Sequence, residues 1–77
     1  MIVSFIPGRV RLRLPELKNQ SLAGELLPKI QEIPGVKAVE IKTLTGSLLI
    51  EYDPALISTE RLLELGRDLA RQVGISE

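Results

Sequence analysis

Residues 6–15 read IPGRVRLRLP, a pattern that predicts a β-strand preceded by a turn. Arginine alternates strictly with valine or leucine from Arg9 to Leu14, and a period of two is the side-chain repeat of a strand. One face of this strand is buried, and the other face carries the arginines in water. Pro15 ends the strand because proline has no amide hydrogen to donate to a neighbouring strand.

A helix is predicted after this strand, with Asn19 or Ser21 as its N-cap. Apolar residues then recur at helical spacing and form the buried stripe of that helix, namely Leu22, Leu26, Leu27, Ile30 and Ile33. Pro34-Gly35 ends the helix. The helix therefore covers one face of whatever sheet the strands form.

Two further strands and a second helix complete the pattern. The strands run from Val36 to Thr43 and from Leu48 to Asp53, and the short connection 44–47 joins them as an antiparallel hairpin. Ser58 is a suitable N-cap for an amphipathic helix that ends near Gly74. On this helix, Gly66 is expected to permit a close approach to the sheet.

The order β, α, β, β, α predicts an α+β protein. We expect a ferredoxin-like βαββα sandwich, in which an antiparallel sheet has two helices on one face and the final strand is short or missing. The strand at 48–53 is placed in the middle, between the arginine strand and the strand at 36–43. One edge of the arginine strand is then open, and either Ile2 to Ile6 or a second subunit covers it.

Composition limits the classes of function. A chain of 77 residues supports one domain, spanning residues 1–77. The absence of His and Cys excludes zinc fingers, cysteine proteases and Ser-His-Asp hydrolases. Ten Lys plus Arg balance ten Asp plus Glu, which argues against a nucleic-acid binder. No apolar run reaches the roughly 18 residues of a membrane span, and no export leader is recognised, so a cytoplasmic location is expected.

The candidate functional residues are Arg9, Arg11 and Arg13, called the arginine row below. Alternate residues of a strand lie about 6–7 Å apart, so three guanidinium groups form a regular row of donors for carboxylates or phosphates. The alternative is that the row makes cross-strand ion pairs with Glu40, Glu51 and Asp53. The segment Thr45-Gly46-Ser47 fits a hairpin loop better than an anion cradle.

Three motifs in order give a family resemblance that covers most of the chain. They are IPGRVRLRLP at 6–15, IPGV at 33–36 and TGSLLIEYDP at 45–54. Together they resemble the Cys-less branch of heavy-metal-associated domains. Metallochaperones and metal-pumping P-type ATPases with this domain carry Cys-x-x-Cys after the first strand, where this chain has PELKNQ at 15–20. Because soft metal ions need thiolates there, metal coordination is not expected.

The resemblance implies an accessory or interaction module in metal homeostasis, with iron as the expected metal. Members of this branch occur with metal-transporting P-type ATPases and with ferrosomes, which are iron-storing membrane compartments. Their recurring Gly-Arg-x-Arg-x-Arg segment corresponds to Gly8, Arg9, Arg11 and Arg13, which are therefore the predicted partner-binding residues.

We predict a noncatalytic domain without a cofactor, because no nucleophile is paired with a base in the sequence. It docks through the arginine row and the open strand edge onto a protein partner, a second copy of itself or an anionic surface. The partner is a metal-transporting P-type ATPase or a protein of a membrane compartment, at whose cytoplasmic surface the domain lies, and the domain forms a homodimer through the first-strand edge. The alternative functions are direct metal binding or delivery and, on fold analogy alone, an acylphosphatase-like activity.

Overall fold

A computed structural model of the protein describes the backbone of residues 2–74 and the side chains of residues 6–74. In chain order the elements are β1 (Ile2–Ile6), β2 (Arg9–Arg13), a 3-10 turn (Pro15–Lys18), α1 (Gln20–Gln31), β3 (Val36–Lys42), β4 (Ser47–Tyr52) and α2 (Thr59–Gln72). The strands form one antiparallel sheet in the order β1-β2-β4-β3. The predicted α+β class and the position of β4 between β2 and β3 are confirmed.

The core lies between the sheet and the two helices. Alternate residues of the central strands are buried on one face, including Val10 of β2 and Leu48, Ile50 and Tyr52 of β4. Both helices contribute to the same cluster, through Leu26 and Ile30 of α1 and Leu62 and Ala70 of α2. The helices therefore cover one face of the sheet and leave the other face to solvent, as the period-two pattern predicts.

Each helix begins at a side-chain cap. The Asn19 side chain accepts hydrogen bonds from the backbone N–H groups of Ser21 at 2.9 Å and Leu22 at 3.3 Å, so Asn19, not Ser21, is the N-cap of α1. Ser58 accepts from the N–H of Arg61 at 3.1 Å and caps α2. These bonds satisfy amides that have no partner within the helix.

Of the two predicted ways of covering the edge of the arginine strand, the folding of Ile2 to Ile6 over it is confirmed, so this edge is not open for docking. Pro7 and Gly8 form a turn, and β1 folds back along β2 with Ile6 opposite Arg9. Gly8 makes this turn with a φ of +86°, a conformation that disfavours residues with a side chain. The edge strands of the sheet are therefore β1 and β3, and among residues 2–74 no further strand lies beside either of them.

Two other expectations concern the second helix and the chain beyond it. A Cβ atom added at Gly66 would meet nothing within 4 Å, so close packing against the sheet does not require glycine there and that expectation is wrong. A final strand after Gly74 is expected to be short or missing, and residues 75–77, where it would lie, are outside the described residues. In the sheet, the place beside β2 is taken by β1.

Candidate functional site

The sheet face opposite the helices, called the outer face below, carries the predicted binding residues. Strand pairing places nine side chains of three strands on it: Arg9, Arg11 and Arg13 of β2, Ser47, Leu49 and Glu51 of β4, and Ala38, Glu40 and Lys42 of β3. All three arginines are exposed, whereas Val10 between them is buried. The alternation seen in the sequence thus separates core residues from solvent-facing ones.

Two of the three carboxylates expected to pair with the arginine row have other partners. A carboxylate oxygen of Glu40, Oε1, lies 3.9 Å from Nζ of Lys42. The Asp53 carboxylate accepts a hydrogen bond of 2.9 Å from the N–H of Ala55. Glu51 is opposite Arg9 in the strand register. Within residues 6–74, no ion pair joins Arg9 or Arg11 to a carboxylate.

The outer face has an excess of positive charge although the chain as a whole is neutral. Four of its side chains are cationic, namely the arginine row and Lys42, and two are acidic, namely Glu40 and Glu51. The full sequence contains ten residues of each sign. Folding therefore concentrates cations on one side of the molecule, which attracts anionic groups to that side.

A depression of about 220 Å³ lies on this face between the ends of β2, β3 and β4. Its lining includes the side chains of Arg11, Arg13, Lys42, Thr45 and Ser47. The hydroxyl groups of Thr45 and Ser47 are 2.7 Å apart and share a hydrogen bond. Cationic and hydroxyl donors therefore surround one concave area of the outer face.

Sequence reasoning missed that Lys42, Thr45 and Ser47 join the arginine row. Lys42 and Ser47 are directly opposite each other in the β3–β4 pairing, and Ser47 is opposite Arg13 in the β2–β4 pairing. The period-two pattern gives the face of each residue within its own strand. The register between strands, which brings these residues together, depends on the turn at 43–46 and on long-range contacts.

The site does not fit a soft metal ion. The segment that corresponds to the Cys-x-x-Cys loop of related domains is a 3-10 turn with Leu17 buried in the core. The chain has no Cys or His, and residues 6–74 contain no group of three or more Asp and Glu that could hold a metal. Carboxylates and amides do not replace thiolates for Cu(I) or Zn(II).

An α+β sandwich with an open outer face and three ordered motifs defines a domain of the heavy-metal-associated type. A family model for heavy metal associated domain 2 matches residues 1–67, and the chain belongs to this family. The predicted resemblance is confirmed, and the membership associates the chain with a metal-related role. Searches of curated proteins and of solved structures found no significant match. In the described part of the chain, neither helix is long and apolar enough to cross a membrane.

Proposed function

We propose that the protein is a noncatalytic accessory domain in metal homeostasis, with iron as the metal, and that it docks onto an acidic partner through the arginine row. One observation supports this function above all. Arg9 and Arg11 are exposed on the outer face without an ion pair to any described carboxylate. Exposed pairs would add less than about 1 kcal/mol each, so fold stability gives little reason for such a row.

The sheet makes the arginine row suitable for recognition. Strand pairing on both sides of β2 holds its backbone, so that only the side chains must be ordered when a partner binds. A guanidinium donates two parallel hydrogen bonds to one carboxylate, and a row of them selects a matching row of acidic groups. Long-range attraction also speeds association, and salt weakens it.

The family to which the chain belongs indicates the class of its partner. We propose a metal-transporting P-type ATPase or another protein of a membrane compartment such as the ferrosome, at whose cytoplasmic surface this domain lies. A domain without thiolates contributes to such a system by binding the transporter or a neighbouring protein. It does not hand over a soft metal ion, because it lacks the ligands to hold one.

Charge reversal in the row tests the docking function. Arg11→Glu is compared with Arg61→Glu, which makes the same change of charge on α2, on the helix side of the molecule. We expect affinity capture with cross-linking to recover an ATPase or compartment protein with the wild type and with Arg61→Glu, and at least tenfold less with Arg11→Glu. Both variants should keep their unfolding free energy within about 0.5 kcal/mol. Equal capture by all three proteins contradicts the proposal.

A metal titration separates this function from direct metal binding. Calorimetry of the purified chain with Fe(II), Zn(II) and Cu(I) is expected to show no micromolar site. The reason is the donor set, which has no thiolate or imidazole and no cluster of carboxylates among the described residues. If the monomer binds one of these metal ions with micromolar affinity, its primary role is metal binding or delivery and not docking.

A further inference from the structure

We infer that the depression beside Arg11 on the outer face is a binding site for a phosphoryl group. This inference rests on the proposed function, because it assigns a class of ligand to the same face. It concerns one end of that face, where β2, β3 and β4 place cations and hydroxyl groups around a concave area. Arg9, at the other end, is not needed for it.

The strand register builds the site around Ser47. Arg13, Ser47 and Lys42 lie opposite one another on β2, β4 and β3, so two cationic residues flank one hydroxyl residue. Two strand spacings separate the flanking backbones by about 10 Å, a distance that two long side chains bridge by leaning toward a shared anion. Arg11 is two residues from Arg13 on the same face and adds a third cation.

The hydroxyl groups distinguish this site from a general basic patch. Thr45 and Ser47 share a hydrogen bond of 2.7 Å, and the Thr45 hydroxyl also lies 3.5 Å from the carbonyl oxygen of Lys42. A hydroxyl group rotates and has one hydrogen to donate. On ligand binding, at least one of these hydroxyls turns its hydrogen toward a phosphoryl oxygen.

The site is rich in positive charge. Its lining includes the cationic side chains of Arg11, Arg13 and Lys42 and one carboxylate, that of Glu40. Glu40 and Lys42 are 3.9 Å apart, with side chains 61% and 68% exposed, and such a pair contributes less than about 1 kcal/mol. Lys42 can therefore leave Glu40 and bind a ligand that carries more negative charge.

A phosphoryl group suits this arrangement better than a single carboxylate. A terminal phosphate presents three acceptor oxygens and close to two negative charges near neutral pH. It can accept at the same time from an arginine, from the lysine and from a hydroxyl, whereas a carboxylate has two oxygens and one charge. Free phosphate and the headgroup of a phosphatidate lipid both present this chemistry.

An NMR titration with inorganic phosphate tests the site, with sodium chloride at equal ionic strength as the blank. We expect amide shifts confined to residues 11–13 and 42–49. Ser47→Ala and Lys42→Gln should each weaken phosphate binding about threefold to tenfold, in line with the loss of one hydrogen bond or one charged contact. Arg61→Gln on α2 removes a cation outside the site and should leave the affinity unchanged.

Vesicles identify the source of the phosphoryl group. Phosphatidate vesicles present a phosphate monoester, and phosphatidylglycerol vesicles present an anionic diester. A lipid ligand is supported if the protein binds phosphatidate more strongly than phosphatidylglycerol and Ser47→Ala weakens that binding. A soluble ligand is supported if the protein binds free phosphate but not the vesicles. Shifts spread over cationic residues of both helices, or no effect of Ser47→Ala on any binding, overturn the inference.

The outcome is distinguishable from that of the docking experiment. If neither phosphate nor phosphatidate binds and Arg11→Glu still loses the partner, the phosphoryl site is wrong and docking stands. If phosphate binds at the site and Arg11→Glu captures the partner as the wild type does, docking is wrong and the phosphoryl site stands.

Discussion

At the level of single residues, Gly46 determines how the β3–β4 hairpin meets the segment after β2. Its φ is +70°, and an added Cβ atom would lie 2.7 Å from the carbonyl oxygen of Leu14. The Gly46 carbonyl accepts a hydrogen bond of 2.8 Å from the N–H of Leu14. The sequence predicts a hairpin loop here, and the close contact with Leu14 adds a second reason for glycine.

Gly46→Ala is expected to lower the free energy of unfolding by more than about 1 kcal/mol, because a side chain there is strained and collides with the backbone. Gly24 provides the matched control. It lies in α1, where an added Cβ meets nothing within 4 Å, so Gly24→Ala should raise the free energy of unfolding by up to about 1 kcal/mol. Urea unfolding measures both values. If the free energy of unfolding changes in the same direction in both variants, Gly46 is not the position at which the fold requires glycine.

At the level of elements, each helix depends on a cap at its start and an apolar stripe along its length. The stripe residues Leu26 and Ile30 are buried, as helical spacing predicts. The sequence offers two N-caps for α1, since Asn19 and Ser21 both carry side chains that cap helices well. The structure assigns the cap to Asn19, whose side chain accepts from two backbone N–H groups.

Asn19→Ala should lower the free energy of unfolding by about 1 kcal/mol, because two amides at the start of α1 lose their acceptor. Gln20→Ala is the control, since Gln20 is exposed, lies in the first turn and makes no capping bond. Its expected change is within about 0.5 kcal/mol. Chemical unfolding followed by circular dichroism checks both. If both variants lose the same free energy of unfolding, the capping bonds of Asn19 do not stabilise the helix.

At the level of the whole molecule, the sheet separates a helical layer from the basic outer face and ends at β1 and β3, which have no further strand beside them in the described part of the chain. The β3 edge carries Lys37, Glu40 and Lys42, and charged residues discourage edge pairing. The β1 edge has the uncharged sequence IVSFI. The edge proposed for a homodimer is therefore that of β1, which has replaced β2 as the outermost strand on that side.

Self-association through β1 predicts a molar mass that rises from monomer to dimer with concentration, measured by light scattering. A two-fold axis perpendicular to the sheet would join the two outer faces into one and place both arginine rows on it. Ser4→Lys puts a charge in the edge strand and should keep the protein monomeric, whereas Ser21→Lys, at an exposed position of α1, should behave as wild type. A constant monomer mass in the wild type would rule out this dimer.

Local chemistry in the sequence determined the α+β class, the strand with alternating arginines, the β3–β4 hairpin and the cap at Ser58. These features depend on side-chain periodicity, turn residues and capping groups, which are readable within a few residues. Tertiary structure alone decided that β1 covers β2, because pairing within the chain and pairing with a second subunit satisfy the same backbone groups. It also decided that Lys42, Thr45 and Ser47 lie beside Arg11, because strand register is fixed by contacts between residues far apart in the chain.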